Sequence, residues 1–220
     1  MIPYYQSGSV SWGLTPRFKK CDKPDANVVA IAIDSTGLKQ FGKDEWHQEK
    51  HKVNAKRSWR KAHFAVDSSH LIQSAILTDK NTMDDQVVDA ICDQITKFFN
   101  HVTADKMYDT NLVFQTIEDH FPDADIVTPP KDNTFADEVH HPKRMSNLVA
   151  FFALGDIGWQ KQRQYGRRNV SESAIQRYKK IIGNKLHSRK FSNQHQEILI
   201  GCSMLNRFTH LGMPNSYRVA

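Results

Sequence analysis

Three acidic residues, far apart in the chain, stand where folding could bring their carboxylates together. Asp34 follows an apolar run at residues 28–33, Asp105 follows a shorter apolar run, and Glu172 is the one acid among ten Lys and Arg in residues 159–190. Carboxylates without nearby His or Cys form the oxygen environment that Mg²⁺ and Mn²⁺ prefer. Two such ions, about 4 Å apart, would support in-line displacement at phosphorus: one activates the attacking oxygen and the other stabilises the leaving oxygen.

The first half of the chain predicts the strands that would position these acids. Residues 28–33 are continuously apolar, as in a strand buried on both faces, and we expect that strand to end at Asp34. Residues 59–66 and 71–77 read as two strands joined by the turn at 67–70. Successive strands of this kind indicate an antiparallel meander.

The second half alternates helix and strand and then becomes mostly helical. Asp84 opens a segment whose apolar residues follow helical spacing as far as Phe99. The remaining predicted elements are a strand at 102–104, a helix at about 110–120, a strand through Ile126 and Val127, and a helix at 193–211 with Ile198, Leu199, Met204, Leu205 and Phe208 on one side. This order predicts an α/β or α+β domain with a mixed sheet. Asp34 and Asp105 would then lie at neighbouring carboxyl ends of parallel strands, where such sheets place their sites.

A helical wheel relates Glu172 to three other polar residues. If one unbroken helix starts at Tyr165, then Tyr165, Arg168, Glu172 and Lys179 share a stripe about 21 Å long. The opposite face would pack on the sheet through Val170, Ala174, Tyr178, Ile181 and Ile182. A helix that starts later, with Ser171 as its cap, is the alternative. A stripe of this length suits a phosphate backbone better than a small metabolite.

Composition excludes several classes of protein. The chain has 220 residues, a net charge of +6 and a longest apolar run of 7 residues, at 148–154, far below the ~20 of a membrane-spanning helix. The first 30 residues show no secretory signal, and three dispersed Cys fit a reducing cytosol rather than a disulfide or zinc framework. The segment 47–51 has two histidines at zinc-peptidase spacing, but its glutamate stands one position later than that motif requires. Residues 34–37 resemble the catalytic loop of an aspartic protease, but no second such loop follows to supply the other aspartate.

Charge is strongly partitioned along the chain. Residues 50–61 carry six Lys and Arg and no acid, residues 67–138 carry 15 Asp and Glu against four Lys and Arg, and residues 159–190 have a net charge of +9. Either basic segment alone would ordinarily be a solvated helix face. Beside catalytic carboxylates, the two segments favour a nucleic acid partner.

At these residues the chain resembles the DDE transposases of bacterial insertion sequences, in the group with a Tyr, Arg, Glu, Lys signature. Tyr165, Arg168, Glu172 and Lys179 reproduce the three signature intervals, with two, three and six residues between them. The sequence IDSTGLK at 33–39 matches the first-aspartate block, ADKMYDT at 104–110 the second, and LNRFTHLGMP at 205–214 the C-terminal end. The similarity runs from about residue 28 to residue 214.

The resemblance implies a ribonuclease-H-like α/β fold over residues 27–214, with a mixed sheet flanked by helices. It implies that Asp34, Asp105 and Glu172 are catalytic and hold Mg²⁺ or Mn²⁺, as two ions, and that Tyr165, Arg168 and Lys179 position DNA. Hydrolysis at the element ends would free 3′-hydroxyls that attack target DNA. From charge alone, we expect secondary backbone contacts from the basic segment: Lys50, Lys52, Lys56, Arg57, Arg60 and Lys61. The implied partner is double-stranded DNA at terminal inverted repeats and target, bound by a homodimer in the bacterial nucleoid.

Two departures accompany the resemblance. Residues 1–26 read as an arm or the remnant of a DNA-recognition region, since 33 residues precede Asp34 where the family usually has a larger helical region. Met107 stands where a small residue is common, and we expect it to alter packing behind Asp105. A DNA-binding remnant that does not transpose, and a metal-dependent nuclease of the same fold, are the alternatives. Residues 215–220 read as a tail.

Overall fold

The computed structural model describes residues 30–40 and 59–212. The expected N-terminal arm at 1–26 and tail at 215–220 lie outside these residues. So does the segment 41–58, with four of the expected DNA contacts, Lys50, Lys52, Lys56 and Arg57.

Within the described residues, six strands form one mixed sheet. The strands are β1 (Ala30–Gln40), β2 (Trp59–Asp67), β3 (Ile72–Asp79), β4 (His101–Ala104), β5 (Asp125–Val127) and β6 (Lys185–Leu186). The order is β3-β2-β1-β4-β5, with β6 paired to the end of β1. β1, β2 and β3 are antiparallel, while β4, β5 and β6 run parallel to their neighbours. The predicted meander and the two later strands are therefore confirmed.

β1 corrects the expectation that the first strand ends at Asp34. The strand continues for six more residues to Gln40, pairing with β2 on one side and with β6 at Lys39 and Gln40. Gly37 lies inside this strand, at a position where a side chain would press on Trp59: an added Cβ would be 3.0 Å from its ring. Asp34 is thus in the middle of the central strand.

The helices are α1 (Val88–Asp93), α2 (Asn111–His120), α3 (Pro142–Gln162), α4 (Asn169–Arg177) and α5 (Phe191–Leu211). α2 and α5 agree with the sequence prediction. On α5, Ile198 and Leu205 are buried as expected and Leu199 packs partly, but Met204 and Phe208 are exposed.

The helix expected from Asp84 to Phe99 is much shorter. A 3₁₀ turn, Asp84–Val87, leads into α1, which ends at Asp93. The side chain of Gln94 accepts hydrogen bonds from the Ser74 hydroxyl and the Ala75 amide of β3, so the chain turns towards the sheet there. Phe99 is fully buried after this turn, whereas Phe98 is 55% exposed.

The signature segment is three short helices instead of one. Gln164 has left-handed dihedrals (φ 53°), after which a 3₁₀ turn (Tyr165–Arg168), α4 and a π-helical turn (Tyr178–Ile182) follow. Ala174 and Tyr178 are buried and Val170 and Ile182 pack partly, as predicted. Ile181 is exposed, because the π turn advances by a smaller angle per residue and rotates it away from the sheet.

Each face of the sheet has its own core. On one face, Ile31, Ile33 and Ala65 pack with α1 and α2; on the other, Leu38, Phe64 and Val66 pack with α4 and α5. Since side chains alternate along a strand, Asp34 points to the α4 face and Ser35 to the α1 face. The α/β mixed sheet flanked by helices agrees with the expected ribonuclease-H-like fold. None of the helices in the described parts of the chain is both long and apolar enough to cross a membrane.

Candidate active site

Asp34 and Asp105 lie at matching levels on neighbouring parallel strands. Ile33 of β1 pairs with Ala104 of β4, and each is followed by an aspartate. β4 ends at Ala104, so Asp105 leaves the sheet beside Asp34. The predicted adjacency is therefore present, although Asp34 is not at the end of its strand.

Asp34 is 7% exposed, and both of its carboxylate oxygens have hydrogen-bond donors. Oδ1 accepts from the Ser35 amide at 2.8 Å, and Oδ2 accepts from Arg168 Nη2 at 3.0 Å. The Ser171 hydroxyl lies 3.5 Å from Oδ2. These contacts fix the carboxylate towards the start of α4.

Asp105 caps the 3₁₀ turn Lys106–Tyr108. Its Oδ1 accepts from the amide of Met107 at 2.8 Å. The Met107 side chain is 53% exposed, so it does not pack behind Asp105, contrary to our expectation. Met107 contributes its backbone N–H, which any residue except proline could supply.

Glu172 lies in the first turn of α4 and is joined to Asp34 by one guanidinium group. Arg168 Nη1 donates to Glu172 Oε1 at 2.6 Å while Nη2 donates to Asp34. The Arg168 side chain is 19% exposed and that of Glu172 47% exposed. Two acids separated by 138 positions therefore meet on the two arms of Arg168.

The carboxylate oxygens of the three acids do not all lie within 4.8 Å of one another. Among the described residues, that spacing is met by the ligand atoms of two exposed aspartates, Asp89 and Asp93, and the partly buried His120. The His120 ring nitrogen there already lies 3.0 Å from Asp89 Oδ1. In the triad, the Arg168 guanidinium stands between Asp34 and Glu172.

Burial and mutual repulsion disfavour negative charge at this group of acids. Burial raises the pKa of Asp34, and the charges of Asp105 and Glu172 raise it further, against the lowering effect of Arg168. Burial likewise raises the pKa of Asp105, against the Met107 amide and Arg168. Burial lowers the pKa of Arg168, but the charges of nearby acidic groups, above all Asp34, have the larger effect and raise that pKa overall. The site therefore favours a bound cation.

A series of packed side chains anchors Tyr165, the first signature residue. The Tyr165 ring lies 5.2 Å from the ring of Trp159, which is fully buried. Trp159 Nε1 donates to Asn147 Oδ1 at 3.0 Å, and Asn147 Nδ2 donates to the Thr128 carbonyl just beyond β5. Burial raises the Tyr165 pKa to about 12, so its phenol is neutral at physiological pH.

The remaining expected DNA contacts are placed differently from one another. Lys179 is exposed on the π turn and forms no ion pair with any other described residue. Arg60 pairs with Asp79 and lies 5.1 Å over the Phe191 ring, on the α5 side of β2. Lys61 points to the opposite face, where its Nζ lies 3.2 Å from Asp84 Oδ1. The structure thus brings Arg168 to the triad, but not Arg60.

Sequence reasoning missed two buried aspartates beside the triad. Asp84 was expected only to open a helix, yet it is 8% exposed, and Lys61 Nζ and His63 Nδ1 lie within 3.3 Å of its Oδ1. Asp109, within the ADKMYDT block, pairs with Arg144, whose Nε lies 2.8 Å from Oδ1. The apolar residues beside Asp84 concealed its role, because their helical spacing is the stronger pattern.

Comparison with known families gives one finding. The family described as Transposase DDE domain matches residues 28–207, which is 180 of the 220 residues. The matched region includes both aspartates of the site and the whole segment from Tyr165 to Lys179.

Proposed function

Because this chain belongs to the transposase DDE domain family, we propose that it cleaves phosphodiester bonds at the ends of a bacterial insertion sequence and joins them to target DNA. The family is one of DNA-acting transposases, so the substrate class is DNA. We assign catalysis to residues 27–214 and to the triad Asp34, Asp105 and Glu172. The bound partner would be double-stranded DNA, held by two copies of the chain in the bacterial nucleoid.

One observation carries the proposal: the pairing of Arg168 with both Asp34 and Glu172, at 3.0 and 2.6 Å. Those two acids are far apart in the sequence. Asp105 lies next to Asp34 because the residues that precede them, Ala104 and Ile33, are paired between β4 and β1. A cation already bridges two of the three acids. The same arrangement supports the idea that this group of acids holds positive charge.

The chemistry of the donor set fits Mg²⁺ or Mn²⁺. Asp34, Asp105 and Glu172 offer hard carboxylate oxygens, the ligands that these ions prefer. Burial and repulsion raise the pKa values of the two aspartates, and a divalent cation would relieve both effects. When bound, two divalent ions would supply Lewis-acid activation of an attacking oxygen and neutralise charge at phosphorus.

The signature residues would bind and orient the DNA strand. The Arg168 guanidinium has the planar donor geometry that matches phosphate, and it lies beside the acids, so it would hold a phosphate next to the cleaved bond. Lys179 is exposed 11 residues further along the chain than Arg168 and would bind a more distant phosphate as a point charge. Tyr165, braced by Trp159, would support the strand with its ring.

Incubation with Mn²⁺ and a labelled duplex that carries the inverted repeat tests the proposal. We expect cutting at the repeat end by the full chain and no cutting by Glu172→Gln. The control is Glu118→Gln, because Glu118 is a partly exposed glutamate paired with Lys143, remote from the triad.

Three other results would each contradict the proposal. Salt-sensitive binding without cutting would indicate a DNA-binding remnant. Cutting at random positions in any duplex would indicate a nuclease of the same fold. Cutting that persists in Glu172→Gln would remove Glu172 from the catalytic set.

A further inference from the structure

A buried polar cluster lies on the face of the sheet opposite Asp34, beneath both aspartate-bearing segments. Its members are Ser35, Lys61, His63, Asp84 and Tyr108. His63 and Tyr108 are fully buried and Asp84 is 8% exposed. A cluster of five polar residues inside the fold requires an explanation, because the burial of unpaired polar atoms costs stability.

Asp84 is the centre of this cluster. Lys61 Nζ lies 3.2 Å from its Oδ1, and the Nδ1 of His63 lies 3.3 Å from the same oxygen. The His63 ring is fixed from its other side, since Nε2 lies 2.8 Å from the Thr78 hydroxyl. Burial raises the pKa of Asp84, but His63, Lys61 and Ser35 outweigh burial and hold that pKa below its usual value. Asp84 therefore ties the turn after β3 to two residues of β2.

The first connection from Asp84 leads to Asp34. His63 stands opposite Ser35 in the β1–β2 ladder, and the Ser35 amide donates to Asp34 Oδ1 at 2.8 Å. Asp84 thus holds the part of β2 that lies opposite Ser35, whose amide donates the hydrogen bond to the Asp34 carboxylate. Its distance from solvent makes this a rigid support.

The second connection leads to Asp105. The 3₁₀ turn Asp84–Val87 packs against the turn Lys106–Tyr108, which Asp105 caps. The Tyr108 hydroxyl is buried at this junction and, within the described residues, has no hydrogen bond of normal geometry. Burial is the main cause that raises the pKa values of Tyr108 and Asp105. The negative charge of Asp84 raises both pKa values further.

We propose that Asp84 is a positioning residue of the metal centre, which fixes the segments that carry Asp34 and Asp105. The inference rests on the proposed function. Asp84 acts through its neighbours, because Lys61 and His63 already engage its carboxylate. Groups that orient metal ligands from behind typically change metal affinity by about 10- to 100-fold when substituted.

Titration calorimetry of the full chain with Mn²⁺ tests this role against a matched control. Asp67 is also a fully buried aspartate of the same sheet, with Lys97 Nζ at 3.3 Å, but it lies at the far end of β2. We expect Asp84→Asn and Asp67→Asn both to lower the melting temperature. Only Asp84→Asn should raise the Mn²⁺ dissociation constant, by at least about tenfold; Asp67→Asn should stay within about twofold of wild type.

A second variant keeps the test decisive if Asp84→Asn does not fold. Asp84→Glu retains the charge that Lys61 needs, but displaces the carboxylate by one methylene, and we expect severalfold weaker Mn²⁺ binding. Wild-type affinity in a folded Asp84→Asn or Asp84→Glu protein would overturn the positioning role. Absence of Mn²⁺ binding by the wild-type protein would instead overturn the proposed function, and this inference with it.

Discussion

Arg168 Nη2 lies 3.0 Å from Oδ2 of Asp34, although 134 positions separate the two residues. The other arm of the same guanidinium holds Glu172. The oxygens that accept from Arg168 belong to carboxylates that we assign as ligands of divalent ions. Arg168 is also the residue that we expect to bind the DNA phosphate nearest to those carboxylates. One side chain therefore links the acids to the strand on which they would act.

Arg168→Ala should weaken DNA binding and lower its dependence on salt. Loss of one phosphate contact reduces the number of counterions released, so the slope of log K against log salt should fall by about one unit. Fluorescence anisotropy with a repeat-end duplex at several salt concentrations measures both quantities.

The matched control for that experiment is Arg167→Ala. Arg167 is the adjacent arginine, exposed, and its Nε donates to Gln164 rather than to a carboxylate of the triad. We expect a smaller loss of affinity from it. Equal slopes for wild type and Arg168→Ala would remove Arg168 from the phosphate contacts.

Asp105→Asn should abolish cutting while DNA affinity stays within about tenfold of wild type, since Asp105 is assigned to ions and not to phosphate. Asp109→Asn, four residues later, should instead reduce the stability of the fold. Asp109 is 2% exposed and paired with Arg144, so loss of its charge leaves a buried arginine unpaired and should cost about 3–5 kcal/mol of unfolding free energy. Cutting assays and urea denaturation of the two variants separate the chemical role from the structural one.

The pH dependence of stability should distinguish Asp105 from Asp84. Burial raises the Asp105 pKa above 3.8, so its contribution to stability is full below 3.8 and is lost as pH rises through the higher folded value. At neutral pH the ionised group costs stability. We therefore expect metal-free Asp105→Asn to be more stable than wild type at pH 7, with the difference closing as pH falls towards 3.8.

For Asp84 the sign is reversed. Its pKa lies below 3.8, so the advantage of wild type over Asp84→Asn is present above 3.8 and is lost as pH falls through the lower folded value. Chemical denaturation across the acid range measures both differences. Parallel curves for the two variants would contradict these opposite shifts.

Mg²⁺ should stabilise the wild-type protein against heat. A ligand that binds only the folded state contributes about 2.7 kcal/mol at one hundred times its dissociation constant. We expect the melting temperature to rise with Mg²⁺ concentration, less in Glu172→Gln and as in wild type in Glu118→Gln. A rise of equal size in Glu172→Gln would show that Glu172 is not a ligand.

The sequence was sufficient to predict the adjacency of Asp34 and Asp105. Two apolar runs of strand character, each followed by an aspartate, predicted that the two acids lie side by side, and the pairing of Ile33 with Ala104 agrees. In the signature segment, the apolar spacing predicted the burial of Ala174 and Tyr178, but not that of Ser171 and Ile175, the other buried residues of α4. Patterns of this kind are local and survive folding unchanged.

The details that set the geometry depend on contacts between distant segments. Three helical forms share the signature segment: Gln164 adopts left-handed dihedrals before its first turn, and Tyr178 packs below α5, where an added Cβ at Gly201 would come within 2.8 Å of its ring. The bridge from Arg168 to Asp34 and the support from Asp84 also join distant positions. No local period encodes such partners.

The extension of β1 beyond Asp34 divides the triad into members of unequal freedom. Asp34 pairs with Phe64 of β2, one residue after the β1–β4 ladder ends at Ile33, so its backbone is held by the central strand. Glu172 lies on the nine-residue helix α4, within a segment flanked by two residues with positive φ, Gln164 and Gly183. A small rotation of that helix would therefore move the carboxylate of Glu172 while the two aspartates keep their places beside the central strands.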